Sequence, residues 1–91
     1  MIKDFIFKAD GAKVYIAPDA STYSLEELQR IVGGYIEIKR ITDECLMVVN
    51  EEGKLNGLPI NDRATKLYQT CILTDDFIVG DALFCDIHHI D

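Results

Sequence analysis

The sequence predicts an α+β fold: a largely antiparallel sheet with two short helices, in the order ββαββαβ. Three observations carry this. Several short runs alternate apolar and polar residues with period two. Asp10-Gly11 separates the first two such runs, a hairpin turn signal because glycine accepts positive φ. Two further segments repeat their apolar residues at helical spacing behind a capping residue. Ninety-one residues leave room for one domain, spanning 1–91.

The first strands are expected over 2–8 and 12–17. In the second, Val14 and Ile16 share one face while Lys13 and Tyr15 take the other. Pro18 cannot donate to a ladder and ends the pairing. Ser24-Leu25-Glu26-Glu27 is a capping box, in which serine and glutamate satisfy each other's backbone amides. Leu25, Leu28, Ile31 and Val32 form the apolar stripe of a helix over 25–32, and Gly33 is its left-handed cap.

Residues 35–41 alternate, with Ile36 and Ile38 on one face. Cys45–Val49 is apolar on both faces and reads as a central strand or one covered by a partner. Residues 51–60 hold Gly53, Asn56-Gly57 and Pro59, a loop of tight turns. Asn61 caps a second helix over 62–71, where Ala64, Leu67, Tyr68 and Cys71 follow the core-facing register. The last strand is expected over 77–87, with Phe77, Val79, Leu83, Cys85 and Ile87 on one face and Gly80 at a bulge.

Composition narrows the function classes. The net charge is −7, which argues against a nucleic-acid partner. The excess is uneven: residues 1–40 are balanced, and residues 41–91 carry all seven net negative charges. The longest apolar run is Cys45–Val49, too short for a membrane span, and Met1-Ile2-Lys3-Asp4 does not begin a signal peptide. Three widely spaced cysteines, Cys45, Cys71 and Cys85, are odd in number. They read as reduced, mostly buried thiols in a cytoplasmic protein.

No catalytic set is visible. There is no G-x-S-x-G, H-E-x-x-H or Walker pattern. The tail Cys85–Asp91 holds His88 and His89, the only histidines. On an extended strand it offers two ligands per face, short of the three or four that zinc needs, and it reads as a solvated end. Neither a metal nor a cofactor is expected. The acidic pairs Glu26/Glu27, Glu51/Glu52 and Asp75/Asp76 point apart, unlike an acid–base couple.

The candidate ligand site is the corner from Asn50 to Arg63. Asn50, Lys54, Asn61 and Arg63 bring amides and cations beside a helix start, the right polarity for an anion. Asn61 has a competing role as a plain helix cap.

The segments Ser24-Leu-Glu-Glu-Leu-Gln-x-x-Val32-Gly-Gly-Tyr-Ile-Glu37, Val49-Asn-Glu-Glu-Gly-Lys-Leu55, Leu58-Pro-x-Asn61-x-x-Ala64-Thr-x-Leu67 and Asp76-x-Ile78-x-Gly80-Asp81 stand in a fixed order over residues 24–84. In this they resemble a family catalogued as domain of unknown function 3846. The resemblance implies a small intracellular protein of bacteria, phages or other mobile elements, and supplies no catalytic residues. The amino-terminal hairpin and the tail Asp86–Asp91 are less like that family.

The leading functional expectation is a non-enzymatic accessory protein that binds another protein or itself, through the acidic carboxy-terminal half or an open sheet edge. The alternative is a binder of a small anionic metabolite or nucleotide. A homodimer is also expected, because Leu46 and Val48 would need either the first hairpin or a second copy to cover them.

Overall fold

A computed structural model describes residues 3–90. The expected strand start at Ile2 and the end of the tail at Asp91 lie outside them. The fold is α+β, with five antiparallel strands and two helices. The elements are β1 (Phe5–Phe7), β2 (Lys13–Tyr15), α1 (Leu25–Val32), β3 (Ile36–Arg40), β4 (Cys45–Asn50), α2 (Asp62–Ile72), β5 (Ala82–Asp86) and a 3₁₀ turn over Ile87–His89. The strand order is β2-β1-β5-β4-β3, so the last strand is central and the two edges are β2 and β3.

The first hairpin closes as its sequence dictates. Gly11 sits at φ +97°, and the Ala12 amide donates to the Asp10 carboxylate at 2.9 Å. Ser24 and Glu27 form the capping box in both directions, at 2.8 and 3.0 Å. Ser24→Ala is expected to cost about 0.5–2 kcal/mol and lower the melting midpoint by several degrees, read by circular dichroism.

Register places the helices on opposite faces. Leu46 and Val48 pack with Leu83, Cys85 and, from α1, Leu28 and Val32. Met47 and Val49 point the other way and pack with Phe7, Phe84 and, from α2, Ala64. Successive side chains of β4 alternate between the faces, so each helix covers one of them. The expectation that Leu46 and Val48 need the hairpin or a second copy is thus corrected: α1 covers them within the chain.

Five other expectations change in detail. Leu25 lies on the exposed edge of the α1 stripe. Cys71 is exposed, because the buried contacts of α2 end with Leu67 and Tyr68. The last strand starts at Ala82, not at residue 77. Residues 77–80 pair instead with the loop before α2, through the Ile60–Val79 bridge, Asn61 N to Ile78 O at 2.8 Å and Gly80 N to Pro59 O at 2.8 Å. Gly80 is therefore not a bulge in a strand; it turns the chain at φ +72° with its Cα packed close against Leu58. Finally, the tail is not free. Its 3₁₀ turn is capped by Asp86 and joined to the loop before α1 by Tyr23 N to His89 O at 2.8 Å.

Candidate functional site: a cation–aromatic face

The four residues singled out in the sequence fall in different places. Asn50 is buried, and both ends of its amide are used: Nδ2 donates to Val32 O at 3.2 Å, and Oδ1 accepts from Glu52 N at 2.8 Å. Asn61 is more tightly held. Its Oδ1 accepts from Ala64 N at 3.1 Å, and its Nδ2 donates to Phe7 O at 2.7 Å and to Gly80 O at 2.8 Å. Neither amide is free for a ligand.

Asn50 and Lys54 do share a cleft of about 230 Å³ with Glu37, Lys39, Glu51 and Asp76. Its two cations are already matched. Lys54 pairs with Asp76 and lies 4.2 Å from the Phe77 ring centre, and Lys39 pairs with Glu37 at 3.3 Å. The Lys54 hydrogen bond holds the Asp76 carboxyl below its usual range. With Glu51 also on the wall, this cleft offers an anion no unpaired charge.

Arg63 stands apart, on the far side of α2. Its Nη1 donates to Gly11 O at 3.1 Å, and its guanidinium lies 4.5 Å from the Phe7 ring centre. It belongs to a set that the strand period assembles. Phe5 and Phe7 of β1 pair with Tyr15 and Lys13 of β2, so all four share the α2 face. The rings of Phe5, Phe7 and buried Phe84 form one cluster with centroids 4.8–5.5 Å apart, and Tyr15 sits edge-on to Phe5 at 6.3 Å.

Cations overlie this cluster. Lys13 Nζ is 4.5 Å from the Phe5 centre and 4.9 Å from that of Tyr15, and Lys3 Nζ is 4.9 Å from Tyr15. Among the described residues, no Asp or Glu carboxylate lies within 4.0 Å of Lys3, Lys13, Arg63 or Lys66. Nearby, Phe7, Arg63, Lys66, Leu67 and Thr70 line an open, mostly apolar groove of about 290 Å³. Tyr15 is 54% exposed. The adjacent Lys13 ammonium is the main cause that draws its phenol below the ordinary tyrosine value, with the charges of Lys3 and Arg63 adding to it.

A second polar cluster also escaped the sequence reading. Asp4 is 2% exposed, and three donors converge on its carboxylate. They are the Tyr23 hydroxyl at 2.6 Å, the Asp86 amide at 2.9 Å and His89 Nδ1 at 2.6 Å. A carboxylate only accepts, so the fitting histidine carries its proton on Nδ1. This cluster joins β1, the loop before α1 and the carboxy-terminal turn. Burial and the hydrogen bond to Asp4 push the Tyr23 phenol above its ordinary value. Burial likewise lifts the Cys85 thiol to about 12, which makes it a poor nucleophile.

A family model described as "Domain of unknown function (DUF3846)" matches residues 3–91. The chain belongs to this family. The match takes in the first hairpin and the tail, which the motif comparison had set apart, so the cation–aromatic face and the Asp4 cluster lie inside the family's domain. Among curated proteins and solved structures, none matches the chain. No helix among the described residues is long and apolar enough to cross a membrane.

Proposed function

We propose that the protein acts by binding and not by catalysis, and that its partner is anionic and docks on the face of Phe5, Phe7, Lys13, Tyr15 and Arg63. The observation that carries this is the position of Lys3, Lys13 and Arg63, which lie over aromatic rings with no carboxylate of the described residues within 4.0 Å. Elsewhere in the fold, Lys8, Lys39, Arg40 and Lys54 each have a carboxylate partner, and among the described residues Arg30 of α1 is the exception. Cations left without counterions, beside exposed aromatic surface, are poised to meet a negative group.

The net charge of −7 does not oppose this locally. Glu37, Asp43, Glu44, Glu51 and Glu52 lie on or next to β3 and β4, with Lys39 and Arg40 among them, whereas Lys3, Lys13 and Arg63 lie toward β2 at the other edge, with Asp10 and Asp62 as the acidic neighbours in sequence. Four strand spacings separate β2 from β3, about 19 Å. Physiological salt screens charge beyond about 8 Å. The reading keeps an accessory, interaction-based role in the cytoplasm, which three unpaired thiols support. It moves the contact from the acidic half to the basic edge.

Retention on a heparin resin at low salt tests it. The wild-type chain is expected to be retained despite its net charge, and the Lys13→Glu/Arg63→Glu double variant to pass through. An Arg40→Glu/Lys54→Glu control, with the same change in total charge, should still be retained. Flow-through of the wild type, or equal loss in both double variants, would reject the reading.

A second reading applies to the opposite edge. β3 has a neighbour only on one side, and Ile38 is 44% exposed there. Self-association along that edge would pair its free backbone groups. Sedimentation equilibrium at micromolar loading, with Ile38→Lys as the disrupting variant, tests it; a concentration-independent monomer rejects it.

A further inference from the structure

Building on the anionic partner proposed above, we infer that the face of Phe5, Tyr15, Lys13 and Arg63 takes a nucleotide unit, its base stacked on Tyr15 and its phosphate held by the surrounding cations. An anion alone would need only the charges. What the face adds is an exposed aromatic ring at its rim, Tyr15, backed edge-on by Phe5 at 6.3 Å. Tyr15 is held on a strand whose register to Phe5 is fixed, so the ring is presented by the sheet and not by a loop. Bases of every kind stack on such rings, because each has a π-face.

The cations fit the second half of the ligand. Lys13 reaches across Phe5, Phe7 and Tyr15, at 4.5, 5.8 and 4.9 Å from their centres, and Lys3 Nζ lies 4.9 Å from the Tyr15 centre. A lysine stem rotates freely, so both ammonium groups can leave the ring to a base and close on its phosphate. The Arg63 guanidinium, a planar donor fork, stands at the groove beyond Phe7. A groove of about 290 Å³ lies at the lower end of the size of small-molecule sites. A run of acidic residues without aromatic side chains would satisfy the cations but offers no ring to stack on Tyr15.

The test titrates the full chain with four probes: dTMP, the oligonucleotide (dT)8, an abasic deoxyribose-phosphate octamer and polyglutamate. Binding is followed by backbone amide shifts in β1, β2 and α2 and by tyrosine fluorescence. The (dT)8 is expected to bind at least fivefold more tightly than the abasic octamer. Tyr15→Ala should weaken (dT)8 by about five- to tenfold and leave the abasic octamer unchanged, while Tyr15→Phe keeps wild-type binding. Both tyrosine variants sit on an edge strand, and their melting curves check the fold. Tight binding of dTMP identifies a free nucleotide as the source, and binding of (dT)8 alone identifies a strand; each supports the shared chemistry. Equal binding of all three polymers, indifferent to Tyr15→Ala, overturns the nucleotide inference and leaves the anionic partner standing. If no probe binds, or binding survives Lys13→Glu/Arg63→Glu, both fail.

Discussion

Asn61→Ala is expected to lower the free energy of unfolding by about 3–5 kcal/mol, well beyond the loss of a helix cap. The side chain is 1% exposed and makes three hydrogen bonds: from Ala64 N, to Phe7 O and to Gly80 O. Truncation would leave one amide and two carbonyls without this partner in the interior, at about 1–3 kcal/mol each before water enters the gap. A domain of this length is stable by roughly 5–14 kcal/mol, so the variant would be marginal. Urea unfolding followed by circular dichroism measures the loss. Asn61→Ser separates the contributions, since its hydroxyl can still cap α2 but cannot reach both carbonyls. Full recovery in the serine variant would mean that the cap alone matters. Asn61→Asp keeps the cap and turns an oxygen toward both carbonyls, so it should be no better than alanine.

The second large effect is expected at Asp4. Asp4→Ala removes the acceptor shared by Tyr23, Asp86 and His89, and should cost about 3–4 kcal/mol. Asp4→Asn keeps the shape and an acceptor and should cost about 1–2 kcal/mol at neutral pH. The pH dependence identifies the charge. The folded state raises the Tyr23 phenol by burial, then by its hydrogen bond to Asp4 and by the Asp4 charge. The same charge adds to burial at Cys45 and Cys85. A raised group keeps its proton in the folded chain after the unfolded chain has lost it. Stability is therefore unaffected by these groups at neutral pH and falls as pH rises above about 8.5 for the thiols and about 10 for the phenol. Asp4→Asn removes part of each shift, so its gap from wild type should narrow between pH 7.5 and pH 11. A constant gap would mean that the Asp4 charge does not reach these groups.

Much of this architecture is written locally. The capping box at Ser24, the turn at Asp10-Gly11 and the stripe of Leu28 and Val32 each depend on residues within a few positions of one another. Such signals act through backbone conformation and short hydrogen bonds, which a linear reading captures. The apolar character of both faces of Cys45–Val49 also fits its place inside the sheet, between β5 and β3 with a helix on each face. The face on which Lys13 and Tyr15 stand was likewise legible from the strand period. That Phe5 and Phe7 join them was not, because it depends on the β1–β2 register.

The remainder was settled by contacts distant in sequence. Residues 77–80 have strand-like composition, yet Asn61, Pro59 and Ile60 claim their backbone groups first, and the strand begins only at Ala82. Asn61 looked like a cap with a spare amide; the amide is consumed by Phe7, 54 positions away. The tail looked free because nothing beside it in sequence could hold it, and Asp4, 85 positions from His89, does so. Local sequence suffices for the two helices with their caps, the first hairpin turn and the uneven charge. Which polar groups are spent in the interior, and which cations have no carboxylate within 4.0 Å among the described residues, is settled only in the folded chain. Those outcomes depend on three-dimensional competition for partners, and a buried donor or acceptor takes the nearest one that the fold brings to it, whatever its position in the chain.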